Sequence, residues 1–354
     1  MNPSVTRVPI GPRTRIPLLD CPKTTFVDVA QRLIKDAEID GKAGVKASTL
    51  VRDYRQRLAA YCEPFFRDDP VDSTNHRRLK EFQAWLVESR ELSSSTVLTI
   101  MSFVSMVLRL AADEDIIPHV PRIPRPRQKD SPRASFSWDE YQRLLAGIKR
   151  LETAHPPVMV RSWPITSELR DFAAFMVNSL LRPGDAMALR HKDVEVKVSP
   201  QGNRYLKLAP PSSKTTLSPV VTLPKAVTIY ENLKSRAAKR GLAGPDDYVF
   251  LPARKKRKFA MEIMRRQFVF VLEMEGLART NLGEPRTLYS LRHSAIMFRL
   301  LHSQVDLLTL ARASRTSVEM IDRFYAKPLH AEMNIDLIHS TRASAVQLLE
   351  ADLT

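Results

Sequence analysis

The sequence is poor in the residues that build metal clusters and covalent staples. It has two cysteines, Cys21 and Cys62, so neither a disulfide framework nor a Cys-based zinc site is implied. Its eight histidines show no ligand spacing such as His-Glu-x-x-His, and no metal is expected. No run of about 18 consecutive apolar residues occurs, which predicts no membrane span. Arg7, Pro12, Arg13 and Arg15 interrupt any apolar stretch at the N-terminus, so no signal peptide is read there and a cytoplasmic location is expected. Internal repeats and an RNA-recognition signature are also lacking. Acidic residues are in deficit: 55 Lys and Arg face 39 Asp and Glu, a net charge of +16. Such an excess favours a polyanionic partner, nucleic acid foremost, over a basic protein of unrelated role. The 354 residues, 44% of them hydrophobic, suffice for two domains or slightly more with ordinary cores.

Residues 1–22 are rich in Pro and Arg and aperiodic. They are expected to form an N-terminal arm, either a loosely packed tail or a contact to DNA or a neighbouring subunit. Residues 23–117 read as four helices. Phe26, Val29, Ala30, Leu33 and Ile34 mark the first; Leu50, Tyr54, Leu58 and Tyr61 the second; Leu79, Phe82, Leu86 and Val87 the third. The fourth spans Ser94 to Ala112, with Ser93, Ser94 and Ser95 as candidate N-caps. Residues 118–135 hold five prolines and five basic residues. They are expected to be an extended linker, serving as a strap along DNA phosphates or simply as a solvated connection.

The second domain opens at Ser137-Trp-Asp-Glu140, a capping box for a helix through Ile148. A helix follows from Leu169 to Leu181, then a short one from Ala186 to Arg190. The period then changes to alternation. Val194/Val196/Val198, Tyr205/Leu206/Leu208 and Val220/Val221/Leu223 predict three short antiparallel strands in an otherwise helical, α+β domain. Helices resume at Ala226–Lys239 and Met261–Gly276. Between them Arg254-Lys-Lys-Arg-Lys258, with Arg265 and Arg266 beyond, reads as a DNA-facing loop or as a solvated one. Residues 331–350 can form a last amphipathic helix.

The most chemically loaded stretch is residues 286–325. On a helix, Tyr289, Arg292 and His293 fall at i, i+3 and i+4 and share one face. The stretch ends in a lone Tyr325 beside Arg323 and Lys327, and cations around a phenol suit an anionic substrate and favour the phenolate. This stretch resembles the tyrosine recombinase (phage integrase) family. The likeness runs from about residue 24 to 330, strongly in the second domain and loosely in the first. It implies a mainly α, helical core-binding domain (23–117) followed by an α+β catalytic domain (136–330) with a small three-stranded antiparallel sheet, and a C-terminal helical tail (331–354).

Residue by residue, the likeness implies a site. Ser-Leu-Leu-Arg182-Pro-Gly-Asp185 looks like the first family Arg box, with Asp185 holding the guanidinium; the alternative is a structural Arg–Asp pair. Lys214, in Ser-Lys-Thr between the second and third strands, matches the family Lys that protonates the leaving 5′ oxygen, with Lys207 as its rival. Arg292 matches the second Arg. Two guanidiniums suit the negative charge that grows on the non-bridging oxygens of a pentavalent phosphorus. Tyr325 matches the nucleophile that forms a 3′-phosphotyrosine and frees a 5′ hydroxyl. The bond energy stays in the adduct, so no ATP or other cofactor is required, and the cations replace a metal.

Two positions depart from the family. Tyr289 stands where most members have His, and a phenol of pKa about 10 is a poor proton shuttle at neutrality. Thr316 stands at the second His/Trp position, as a phosphate contact or as the N-cap of the last helix through Thr316-Ser-Val-Glu319. Some phage-type integrases also write Thr-Ser-Val-x-x-Ile here. His293 is read as a structural hydrogen-bonder that is placed to replace part of the missing His. The expected function is a bacterial or phage-derived site-specific recombinase acting on double-stranded DNA as a tetramer. The alternative is a recombinase-like DNA-binding protein with weakened or lost chemistry.

Overall fold

The computed structural model describes residues 23–43, 48–126, 134–209, 219–303 and 305–326. The N-terminal arm, Lys214, Lys327 and the 331–350 helix therefore lie outside the described residues. The chain divides into two compact units, Met1–Lys129 and Asp130–Thr354.

The first unit is helical: α1 (Phe26–Lys42), α2 (Ser48–Arg57), α3 (Glu63–Phe66), α4 (His76–Glu88) and α5 (Ser94–Asp113). A π-helical turn, Leu58–Cys62, joins α2 to α3, so the second expected helix continues through it to Phe66. Thr25 and Asp28 cap α1 reciprocally, and Ser93 caps α5 through the Thr96 amide. By length and composition α5 would suffice to cross a membrane. Its apolar side is instead used internally, where Val97, Ile100, Met101, Phe103, Val104, Val107, Leu108 and Ala111 are buried in the unit's core. Burial pushes the Cys62 thiol up, so it acts as a small core hydrophobe. Within the expected linker, Val120 and Ile123 pack against this core.

The second unit builds its core from α6 (Trp138–Glu152), α7 (Ser167–Ser179), α9 (Lys225–Ala238), α10 (Arg257–Met274) and α11 (Leu288–His302), with the short α8 (Pro183–Ala188) between α7 and the sheet. A two-stranded ribbon, β1 (Met159–Val160) with β2 (Trp163–Pro164), was not anticipated; two residues per strand leave no period to read. The main sheet is antiparallel in the order β3 (Val194–Val198), β4 (Arg204–Leu208), β5 (Val220–Val221). Leu206, Leu208 and Val220 enter the core, whereas Val196 and Val198 stay exposed. Helices α12 (Leu307–Ser314) and α13 (Val318–Ile321) and a π-helical turn, Asp322–Ala326, end the described chain. They close a smaller apolar cluster of Leu180, Ala295, Ile296, Leu310, Ala311, Ile321 and Tyr325.

The capping box at Ser137 is present, and Glu140 also binds the buried Arg286 at 2.7 Å. Burial would raise the Glu140 carboxyl, but the Ser137 amide and the Arg286 guanidinium outweigh it and hold the pKa below the ordinary range. The basic run 254–258 is only in part a loop. Helix α10 starts inside it, at Arg257, rather than at Met261. The Arg257 guanidinium turns inward to the carbonyls of Met187 (2.8 Å), Phe250 (2.7 Å) and Arg254 (2.7 Å). Arg254 lies over the Trp163 ring, Lys255 pairs with Asp247, and Arg265 and Arg266 share Glu262. Arg257→Ala is therefore expected to cost about 2–4 kcal/mol by stranding buried carbonyls, and Arg265→Ala less than about 0.5 kcal/mol because its pair is exposed. Thermal melts of the two variants check this.

Candidate active site

Two helix ends create the site. Helix α7 stops at Ser179, before the expected Leu181, because Leu180 takes the left-handed conformation (φ 58°, ψ 10°). Helix α12 stops the same way at Arg315 (φ 51°, ψ 50°). Neither residue is glycine, so each turn stores about 1 kcal/mol of strain that tertiary contacts must hold. The contacts are arginines. Arg292, on α11, donates to the carbonyls of Leu180 and Ser314, tying the C-terminal ends of α7 and α12 together. Arg182, the N-cap residue of α8, donates to the Arg315 carbonyl at 2.8 Å. Cations at the negative ends of helices are favoured, and here the helix ends fix the cations in turn.

Asp185 lies 3.9 Å from Arg182, a loose ion pair across one turn of α8. Burial, and then the neighbouring Arg182 cation, lower the Arg292 pKa to about 10, while Tyr325, Tyr289 and Asp185 act in the opposite direction. At that value the guanidinium stays charged at neutrality. Arg292 is 5% exposed, whereas Tyr289 on the same helix is 46% exposed.

Both arginines line a cleft of about 480 Å³. Tyr289, His293, Thr316 and Tyr325 line it too, as do Glu284 and Thr287 from the approach to α11. The expected i, i+3, i+4 face of α11 therefore does border one cavity. Tyr325 reaches it from the terminal π-helical turn. Its ring belongs to the small apolar cluster, and its hydroxyl lies 2.5 Å from His293 Nδ1. The Arg323 guanidinium lies over the Phe324 ring, 5.2 Å from its centroid.

Thr316 does not cap the last helix. Ser317 does, accepting from the Met320 amide at 3.2 Å, because the left-handed turn at Arg315 shifts the start of α13 by one residue. The side chain of Thr316 is thereby left to the cleft. Lys214 lies outside the described residues. Its rival Lys207 is the next-to-last residue of β4, opposite Glu195 and Val221. Five of the six expected site residues thus border one cavity: Arg182, Tyr289, Arg292, Thr316 and Tyr325. The residue left out of that set is His293, although its position one turn after Tyr289 placed it on the right face. Among the described residues no group of three or more His, Cys, Asp or Glu is placed to hold a metal.

No protein-family model matches the sequence, and no curated protein matches it either. Solved structures do match in shape. The Tn1549 transposon integrase in complex with circular intermediate DNA superposes with a TM-score of 0.61 at 11% identity, covering 90% of this chain and 100% of that one. A lambda integrase tetramer bound to a Holliday junction gives 0.59 at 16% identity, over 85% and 78% of the two chains. A lambda integrase dimer on a COC′ core site gives 0.58 at 16%, over 83% and 75%. At such identities the likeness is one of architecture, and by architecture this chain has the fold of the tyrosine recombinases.

Proposed function

We propose that the protein cleaves and rejoins double-stranded DNA through a 3′-phosphotyrosine at Tyr325. The observation that carries this reading is the single cleft onto which a tyrosine hydroxyl and two fixed arginines converge. Arg182 and Arg292 would grip the non-bridging oxygens of one phosphodiester. A planar fork suits that task, and helix-end carbonyls keep both forks oriented before substrate arrives. The Tyr325 oxygen attacks phosphorus, the P–O5′ bond breaks, and Lys214 supplies the proton to the departing 5′ oxygen. Tyr289 and Thr316 add hydroxyl contacts to the phosphate. The net charge of +16 supports a DNA partner, as do neighbours that are themselves DNA complexes. The lambda integrase tetramer on a Holliday junction supports assembly of four copies on two duplexes.

The test begins with duplexes selected from a random-sequence pool by retention on the protein. Retained duplexes are nicked so that the short cleaved strand diffuses away and the adduct is trapped. A covalent protein–DNA band is the expected result; retention with no band under any condition supports a DNA-binding protein that has lost chemistry. Lys214→Ala is expected to lower the rate of adduct formation about 10²–10⁴-fold. Replacing the 5′-bridging oxygen with sulfur should restore most of that rate, because a thiolate leaves without a proton. A Lys214→Ala variant that is slow on both substrates would remove Lys214 from the acid role.

A further inference from the structure

The proposed chemistry leaves one proton without a destination. A phenol of pKa about 10 is almost wholly protonated at neutrality, so the Tyr325 proton must leave as its oxygen bonds to phosphorus. Tyr289 stands where most members of the resembled family have His, and it too is a phenol. His293 lies one residue beyond Arg292, on the cleft face of α11. Its Nδ1 is 2.5 Å from the Tyr325 hydroxyl, and its ring stands between those of Tyr289 (centroids 6.0 Å apart) and Tyr325 (5.6 Å).

We infer that His293 is the general base that takes the Tyr325 proton during cleavage and returns it during rejoining. This rests on Tyr325 being the nucleophile. With its own proton on Nε2, the neutral imidazole accepts the phenol hydrogen bond at Nδ1. As the Oη–P bond forms, the phenolic proton moves to Nδ1 and gives an imidazolium. The electron pair of the broken P–O5′ bond stays on the 5′ oxygen, which takes its proton from Lys214. In the reverse step the 5′ hydroxyl returns its proton to the neutral Lys214 amine as its oxygen attacks phosphorus, the Oη–P bond breaks, and Nδ1–H reprotonates the phenolate. Each proton is carried by a different residue, and each residue ends the cycle as it began.

Other charged and polar groups share the cleft with the imidazole. Tyr289 and Arg292 lie on its own helix, Tyr325 on the terminal turn, Arg182 at the α7–α8 junction with Asp185 3.9 Å from it, and Glu284 and Thr316 elsewhere on the cleft wall.

The measurement is the pH dependence of single-turnover adduct formation on the selected nicked duplexes, in wild type and His293→Asn. The asparagine oxygen can accept the phenol hydrogen bond at nearly the same place but cannot take up the proton. Wild type is expected to gain rate through one ionisation at or below about pH 7. His293→Asn is expected to be about 10²-fold slower at pH 7 and to recover only as the phenol itself ionises, near pH 10. The bridging-sulfur substrate should not rescue it, in contrast to Lys214→Ala. A wild-type profile that rises only near pH 10 would overturn the assignment, whether or not the variant folds. So would a variant that matches wild type, or that is slowed equally at every pH. Loss of the wild-type adduct in Tyr325→Phe is established first, so failure here leaves the proposed nucleophile standing.

Discussion

Tyr325→Phe is expected to abolish covalent capture of DNA while leaving the protein folded and the duplex retained. The expectation follows from the double environment of this side chain. Its ring is part of the small apolar cluster with Ile296, Leu310 and Ile321, and phenylalanine fills the same volume. Only the hydroxyl is lost, with its contact to His293. The stability cost should be about 1 kcal/mol, the worth of one ordinary hydrogen bond. The chemical effect is of another order, because no other atom at that position can attack phosphorus. Tyr289→Phe is the matched control. Its hydroxyl also borders the cleft, yet the adduct should still form, more slowly. The two variants are compared by gel retention and by denaturing electrophoresis of the trapped complex.

Arg292→Ala is expected to be the most damaging substitution for fold and chemistry together. The guanidinium satisfies carbonyls of two helices that end in left-handed residues, and its removal strands both in a site that water reaches poorly. With each charge-assisted bond worth about 1.5–3 kcal/mol, the loss should be about 3–5 kcal/mol. That corresponds to a fall of about 2–4 °C in the melting temperature per kcal/mol. Adduct formation should fall about 10³-fold or more, since a preorganised donor to the phosphate goes with it. Arg292→Lys separates the effects. It keeps the charge but can reach one carbonyl at a time, so it should recover part of the stability and little of the rate. Arg182 provides the contrast. Its side chain is 38% exposed and bonds one helix-end carbonyl, so Arg182→Ala should slow the reaction comparably while shifting the melt little. Equal melting shifts in the two alanine variants would contradict the division of labour described here.

The local elements were legible in the sequence where their signals were local. The Ser137–Glu140 box starts a helix, Ser93 caps α5, and the alternation at 194–208 makes two paired strands. What escaped was decided by partners far along the chain. Leu180 reads as the next helical residue after Ser179, and only Arg292, 112 residues later, turns its carbonyl out of the helix. Arg257 reads as one more cation in a basic run, yet Met187, 70 residues earlier, supplies a carbonyl that draws it inward. Thr316 and Ser317 are equally good caps by composition, and the turn at Arg315 chose between them. The face carrying Tyr289, Arg292 and His293 was readable from helical spacing. That Tyr325 would meet His293 within that face was not, because its terminal turn is π-helical and its aim depends on the small cluster beneath it.

The central claim is a covalent bond at one atom, and the most direct test is a peptide map of the trapped complex. Nuclease and protease digestion followed by mass spectrometry should find a nucleotide joined through its 3′ phosphate to the peptide containing Tyr325, with the released strand bearing a free 5′ hydroxyl. A nucleotide on any other residue, a 5′-phosphate linkage, or retained DNA that yields no modified peptide would contradict the account.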